Sequence, residues 1–151
     1  MKAGAEQEEV KIRRARRSDA TRIAELSGQL GYPATAAQIV QRLRGLKPAL
    51  KHAVFVADLP DSGVIGWLHV TVAHLVDSEI RAEVNGLVVA EGQRSLGAGA
   101  RLLEAAEEWA RKRGCKSMSV RSNVIRERAH KFYERQGYEH FKTQKAFRKA
   151  L

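Results

Sequence analysis

The sequence predicts a mixed α/β fold in a single domain, and three observations carry that expectation. The chain has 151 residues, the size of one ordinary domain. Its apolar spacing switches between two-residue alternation and repeats of three and four, so strands and helices are interleaved rather than segregated. In the C-terminal half a long strand, a helix and a short strand follow one another, which implies a parallel strand pair there. With 44% hydrophobic and 29% charged residues, the composition is that of a globular chain and not of a disordered or low-complexity one.

Residues 1–9 lack an apolar pattern and read as a loose tail. Val10 and Ile12 alternate with Lys11 and Arg13 as a first strand. Ser18 offers an N-cap, with Ile23, Leu26 and Leu30 following at helical spacing. Gly31-Tyr32-Pro33 breaks that helix. Thr35 and Gln38 fit a capping box for a second helix, whose inner face is Ile39, Val40, Leu43 and Leu46. His52–Leu59 and Val64–His74 are β-rich and flank a Pro60–Gly63 turn, which makes a hairpin. Ile80–Val89 is a third long strand, and Gly86 inside it points to a bulge or a close backbone approach. Leu102, Leu103, Ala106, Trp109 and Ala110 form a strongly amphipathic helix that stops at Gly114. Lys116–Arg121 reads as a strand. Ser122-Asn123 precedes a helix with Ala129, Phe132 and Tyr133 inward, and Tyr138–Lys142 and Ala146–Arg148 read as two last strands. The predicted order is βααβββαβαββ.

Several function classes fall away. The longest apolar run, Ala53–Ala57, is far short of the ~20 residues of a membrane span, so no membrane role is expected. The N-terminus shows no apolar leader core, and the single cysteine, Cys115, makes neither an internal disulfide nor a cysteine-rich metal site; the expected compartment is cytoplasmic. The five histidines (52, 69, 74, 130, 140) lack metal-ligand spacing, so no metal is expected. Net charge is +10, and residues 92–151 hold 15 Lys/Arg against 6 Asp/Glu. That basic part suits a bound anion, nucleic acid or solvated helix faces. No zinc-finger, helix-turn-helix or aromatic RNA-binding signal accompanies the charge, so no specific nucleic acid is expected.

The chemically informative stretch is Leu87-Val88-Val89, a short loop, then Arg94-Ser95-Leu96-Gly97-Ala98-Gly99-Ala100. A strand runs into a glycine-bearing loop that opens a helix. Helix starts carry unpaired N–H groups and partial positive charge, which suits a pyrophosphate, and glycine lets the anion approach the backbone. The same glycines also read as plain turn residues. No Walker Lys-Ser/Thr follows, and Leu102 replaces the third glycine of a dinucleotide fingerprint.

Leu87-Val88-Val89 with Arg94-x-x-Gly97-x-Gly99-Ala100 resembles the acetyl-CoA motif of the GNAT superfamily of N-acetyltransferases. Ser122-Asn123 with Ala129-His130-Lys131-Phe132-Tyr133-Glu134-Arg135-Gln136-Gly137-Tyr138 is similar to a second segment of that family. The resemblance implies an N-acetyltransferase domain over 10–151 with a mixed, mostly antiparallel sheet, a splayed parallel central pair and about four flanking helices. It implies acetyl-CoA as co-substrate and a small-molecule, peptide or protein amine as acceptor, with a homodimer as a common state of similar proteins. It assigns Leu87, Val88 and Val89 to the pantetheine arm and the Val89 amide to the thioester carbonyl. The amides of Arg94, Ser95, Leu96, Gly97, Ala98, Gly99 and Ala100 fall to the pyrophosphate, Asn123 to the pantetheine or reacting region, and Tyr133 to protonation of the leaving thiolate. Glu83 matches a position where many members hold a catalytic Glu, with burial expected to raise its pKa. Pairing with Arg81 is the alternative for Glu83, and an ordered water with Asn85 or His74 the alternative base. Met118 stands where some relatives carry a second Glu. Tyr32, His74 and Asn85 are candidates for the acceptor side, and a non-catalytic acyl-CoA binder is the other function class left open.

Overall fold

The structure, a computed structural model, describes residues 9–47 and 51–151. All of the expected tail except Glu9 lies outside the described residues. The elements are β1 (Lys11–Arg14), α1 (Ala20–Leu30), α2 (Ala36–Gly45), β2 (His52–Leu59), β3 (Gly63–Ala73), β4 (Arg81–Val89), α3 (Ala98–Lys112), β5 (Met118–Val120) and α4 (Glu127–Arg135). Short 3₁₀ segments occupy Arg17–Asp19 and Glu91–Leu96. The described residues divide into two compact units, one ending at Val120 and the other spanning Arg121–Leu151.

In the first unit a five-stranded sheet runs in the order β1-β2-β3-β4-β5. Each adjacent pair among the first four strands is antiparallel, and β4 and β5 are parallel, as the helix between them requires. Helices α1 and α2 cover one face, where Ile23, Leu26 and Ile39 meet Val56, Val64 and Val88 with Trp67 beside them. α3 lies against the opposite face and buries Leu102, Leu103, Ala106, Trp109 and Ala110. The Thr35–Gln38 capping box forms in both directions, at 3.1 and 3.0 Å. Ser18 is not the cap of α1. A 3₁₀ turn takes that place, and Asp19, the residue at the helix start, turns its carboxylate to Arg13 (2.8 and 2.9 Å) and to the Arg16 amide (2.7 Å). Arg13 also reaches Asp58 at 3.0 Å, so one guanidinium ties β1, β2 and the start of α1 together. Its hydrogen bonds hold the Asp19 carboxyl below the usual range.

The two last predicted strands are not formed. No strand follows β5, and Tyr138–Leu151 has no regular structure. A ladder needs an apolar face to bury, and here Phe141 and Phe147 both stay exposed, at 74% and 92%. Residues 121–151 otherwise contain α4, which closes at a left-handed Gly137 (φ 90°) where the Tyr138 amide donates to the Tyr133 carbonyl at 3.0 Å. Among the described residues no helix is long and apolar enough to cross a membrane.

Both readings of Gly86 hold. Asn85 is the extra residue of a bulge, since Val70 pairs with Val84 and His69 with Gly86. The Trp67 ring lies so close to Gly86 that an added Cβ would sit 2.7 Å from two of its carbons. Gly86→Ala is therefore expected to destabilise by about 1–3 kcal/mol, the usual range for overpacking. Gly92→Ala, where nothing lies within 4 Å, should be nearly neutral. Urea unfolding of both variants is the check, and equal stabilities would refute the contact.

Candidate functional site

The site begins where the β4–β5 ladder stops. The parallel register runs Ala82↔Met118, Glu83↔Ser119 and Val84↔Val120 and goes no further. β4 itself continues to Val89, still paired with β3 at Gly66. The Ala90 amide donates to the Ile65 carbonyl at 2.7 Å, which makes Gly66↔Val89 a narrow, non-hydrogen-bonded pair. By alternation the N–H and C=O of Leu87 and Val89 point away from β3, and those of Val88 toward it. The expected backbone edge is thus carried by Leu87 and Val89, with Val88 as the β3-bonded residue between them.

Gln29, on α1, belongs to this site and was not singled out from the sequence. Its Nε2 donates to the Val89 carbonyl at 2.8 Å, and its Oε1 accepts from the Glu91 amide at 3.2 Å. One side chain therefore holds the exit of β4 on both sides of Ala90. A glutamine beside the apolar stripe of α1 carries no sequence signal of such a task.

Beyond Ala90 the candidate loop divides in two. Arg94, Ser95 and Leu96 fall in the 3₁₀ segment, with Arg94 and Leu96 exposed. Gly97 is left-handed (φ 73°) and stands as the N-cap of α3 without a side-chain cap bond. The first bond of the helix is Arg101 N–H to Gly97 carbonyl, 3.2 Å. The amides of Ala98, Gly99 and Ala100 then form an uncapped helix start, with Arg94 and Arg101 adding charge near it. An anion such as a pyrophosphate fits this donor set, and a pantetheine arm fits the outward backbone of Leu87 and Val89.

Glu83 pairs with Arg81 (Nη2 to Oε1 3.1 Å, Nε to Oε1 3.3 Å), the arrangement that the sequence left as the alternative to a catalytic base. By register Glu83 lies opposite Thr71, and Asn85 Nδ2 donates to the Thr71 hydroxyl at 2.9 Å. Two residues toward Trp67, His69 meets His52. The ring nitrogens are 3.0 Å apart and the centroids 5.2 Å, stacked at 20°. Burial, helped by the field of His52, lowers the His69 pKa to about 4. His74 takes a 2.9 Å hydrogen bond from Lys51 Nζ. Tyr32 is 74% exposed in the α1–α2 connection.

In the second unit, Asn123 Oδ1 accepts from the Ile125 amide at 3.2 Å, and the Asn123 carbonyl lies 2.8 Å from His130 Nε2. Asn123 thus shapes the approach to α4 rather than capping it. Tyr133 packs edge-on to Phe132 (5.3 Å) and Tyr138 (6.0 Å). Burial raises its phenol pKa, against a smaller opposing effect of Arg126, so the hydroxyl keeps its proton at neutral pH.

Comparisons with known proteins bear on the family and the fold. Residues 16–138 match the model of the acetyltransferase (GNAT) family. Aminoalkylphosphonate N-acetyltransferase of Salmonella typhimurium is 39% identical over 75 residues, which is 48% of this chain and 49% of the relative. The match therefore spans about half the length of that relative. Among solved structures, an aminoglycoside 6'-N-acetyltransferase, AAC(6')-Ih from Acinetobacter baumannii, superposes with a TM-score of 0.81 at 18% identity, over 94% of this chain and 99% of its own. A transcriptional regulator from Bacillus halodurans superposes at 0.78 with 24% identity, over 91% and 99%. At such identities the likeness is one of fold.

The His69 environment predicts a pH dependence of stability. An unfolded histidine titrates near ~6.5, whereas folded His69 stays neutral down to about 4. Below ~6.5 the unfolded chain binds a proton that the native state refuses, so stability is complete above that pH and falls as pH drops toward 4. The stability difference between His69→Gln and wild type, from urea unfolding at pH 7.5 and pH 5, should shift in favour of the variant at pH 5. An unchanged difference would contradict the assignment.

Proposed function

We propose, from the premise that this chain belongs to the acetyltransferase (GNAT) family, that it moves an acetyl group from acetyl-CoA to the primary amine of a small molecule. The observation that carries this reading is the strand β4 left without a β5 partner after Val84 and leading into the uncapped start of α3. Acetyl-CoA supplies an activated thioester. The Leu87 and Val89 backbone holds its pantetheine arm, and the amides from Gly97 to Ala100 take its pyrophosphate. The Val89 N–H polarises the thioester carbonyl, a donor fixed before the reaction begins.

The acceptor nitrogen forms the new C–N bond as the C–S bond breaks. Glu83 takes the proton that the amine gives up, exchanging its contact with Arg81 for one with the substrate. Tyr133 gives its proton to the departing thiolate. A phenol protonated at neutral pH suits that role, and Asn123 stands at the entry to the same helical segment. A small-molecule acceptor is supported by the names of the similar enzymes, whose substrates are an aminoalkylphosphonate and an aminoglycoside.

The test is release of CoA thiol from acetyl-CoA across a panel of small amines. Tyr133→Phe should lower kcat about a hundredfold or more, the scale of general-acid catalysis, with acetyl-CoA affinity retained. Unchanged turnover would remove the acid role. Glu83→Gln should depress the low-pH limb of the rate profile, and an unaltered profile would reject the base. Acetyl-CoA binding with no thiol release on any amine would favour a non-catalytic binder.

A further inference from the structure

We propose that the cleft between α2 and the β1–β2 edge of the sheet docks an anionic group carried by the acceptor amine: a phosphonate, a phosphate or a carboxylate. The inference rests on the acetyl-transfer reading and specifies its acceptor. The cleft has a volume of about 280 Å³, suited to a small headgroup. Arg14, Arg16 and Arg17 line it from the end of β1 and the turn that follows, with the Arg14 guanidinium itself over the Phe55 ring, Arg44 lines it from α2, and His52 and Val54 line it from β2.

Arg16, Arg17 and Arg44, all exposed, put three positive charges around one concavity, which favours an anion there. The carboxylate beside them, Asp19, has both oxygens held by Arg13 and one also by the Arg16 amide. Among the described residues no ion pair joins any of these three to an acidic side chain. Like charges gathered in a cleft concentrate positive potential. The planar fork of arginine matches the paired oxygens of a phosphonate or carboxylate.

The position of the cleft links it to β4. His52 is stacked on His69, and His69 is in register with Gly86, next to the bulged Asn85. From β2 to β4 is two strand steps, or about 10 Å. An amine with its anionic end among the arginines directs its nitrogen along this row toward β4. The +10 net charge favours approach of the same class of molecule and opposes a polycationic one.

The experiment compares 3-aminopropylphosphonate with butylamine as acceptors for the wild type and for an Arg17→Ala/Arg44→Ala double variant. The wild type should prefer the phosphonate by about tenfold or more in kcat/KM, the equivalent of one charge-assisted hydrogen bond. The double variant should lose that preference through KM, with kcat and acetyl-CoA affinity little changed, and Arg17→Lys/Arg44→Lys should restore part of it. Butylamine used equally well by the wild type, or a preference that survives the double variant, would overturn the proposal. So would a loss of acetyl-CoA affinity in the double variant, which would give the cleft to the phosphates of the coenzyme. If the wild type acetylates neither amine, the acetyl-transfer reading fails separately, and calorimetry of 3-aminopropylphosphonate decides the cleft. Binding weakened about tenfold in the double variant supports it, whereas no binding or equal binding refutes it.

Discussion

A β-strand exposes backbone donors and acceptors on both edges, and the site of this protein depends on one stretch of β4 that is paired on only one of them. Up to Val84 the strand has β3 on one side and β5 on the other. Past the bulge at Asn85 its only strand partner is β3, and alternation turns Leu87 and Val89 outward, where Gln29 meets the Val89 carbonyl and leaves the Val89 N–H and the Leu87 groups to a ligand. Unmet backbone groups in a sheet are costly when dry and adhesive when a matching chain arrives. A pantetheine arm, with its two amides, is such a chain.

The rest of the fold keeps that stretch in place. Gln29 bonds both sides of Ala90, so the end of β4 cannot drift from α1. Gly66 leaves room for the Val88 carbonyl, which a Cβ there would approach to 2.8 Å, and Gly86 leaves room for the Trp67 ring. The partly buried Arg13–Asp19–Asp58 cluster fixes β1 to β2 and to the start of α1. α3 serves twice, burying an apolar face against the sheet while presenting an uncapped first turn. A side-chain cap at Gly97 would offer those amides an internal acceptor in place of an anion.

Local signals were legible in the sequence. The capping box at Thr35, the inner face of α3 and the glycine at its start follow from rules that reach only a few residues, and the parallel β4–β5 pair follows from the order strand, helix, strand. What depended on distant partners was not. Tyr138–Leu151 has strand-like composition, yet a strand exists only through a partner, and the sequence names none. The stacking of His52 on His69 joins residues 17 apart, and the arginine cleft gathers residues from β1, a turn and α2. Gln29 reaches β4 across 60 positions. Glu83 shows the same limit at short range, since its spacing suited a base and an Arg81 partner equally.

The central claim is that the open edge of β4 and the first turn of α3 together hold the coenzyme. Backbone amide resonances of the ¹⁵N-labelled protein, followed while coenzyme A is added, test it most directly. Leu87, Val89 and Gly97–Ala100 should show the largest shifts, with Val88 moving less because its N–H is turned toward β3. Shifts confined to other parts of the chain, or none at saturating coenzyme A, would contradict it.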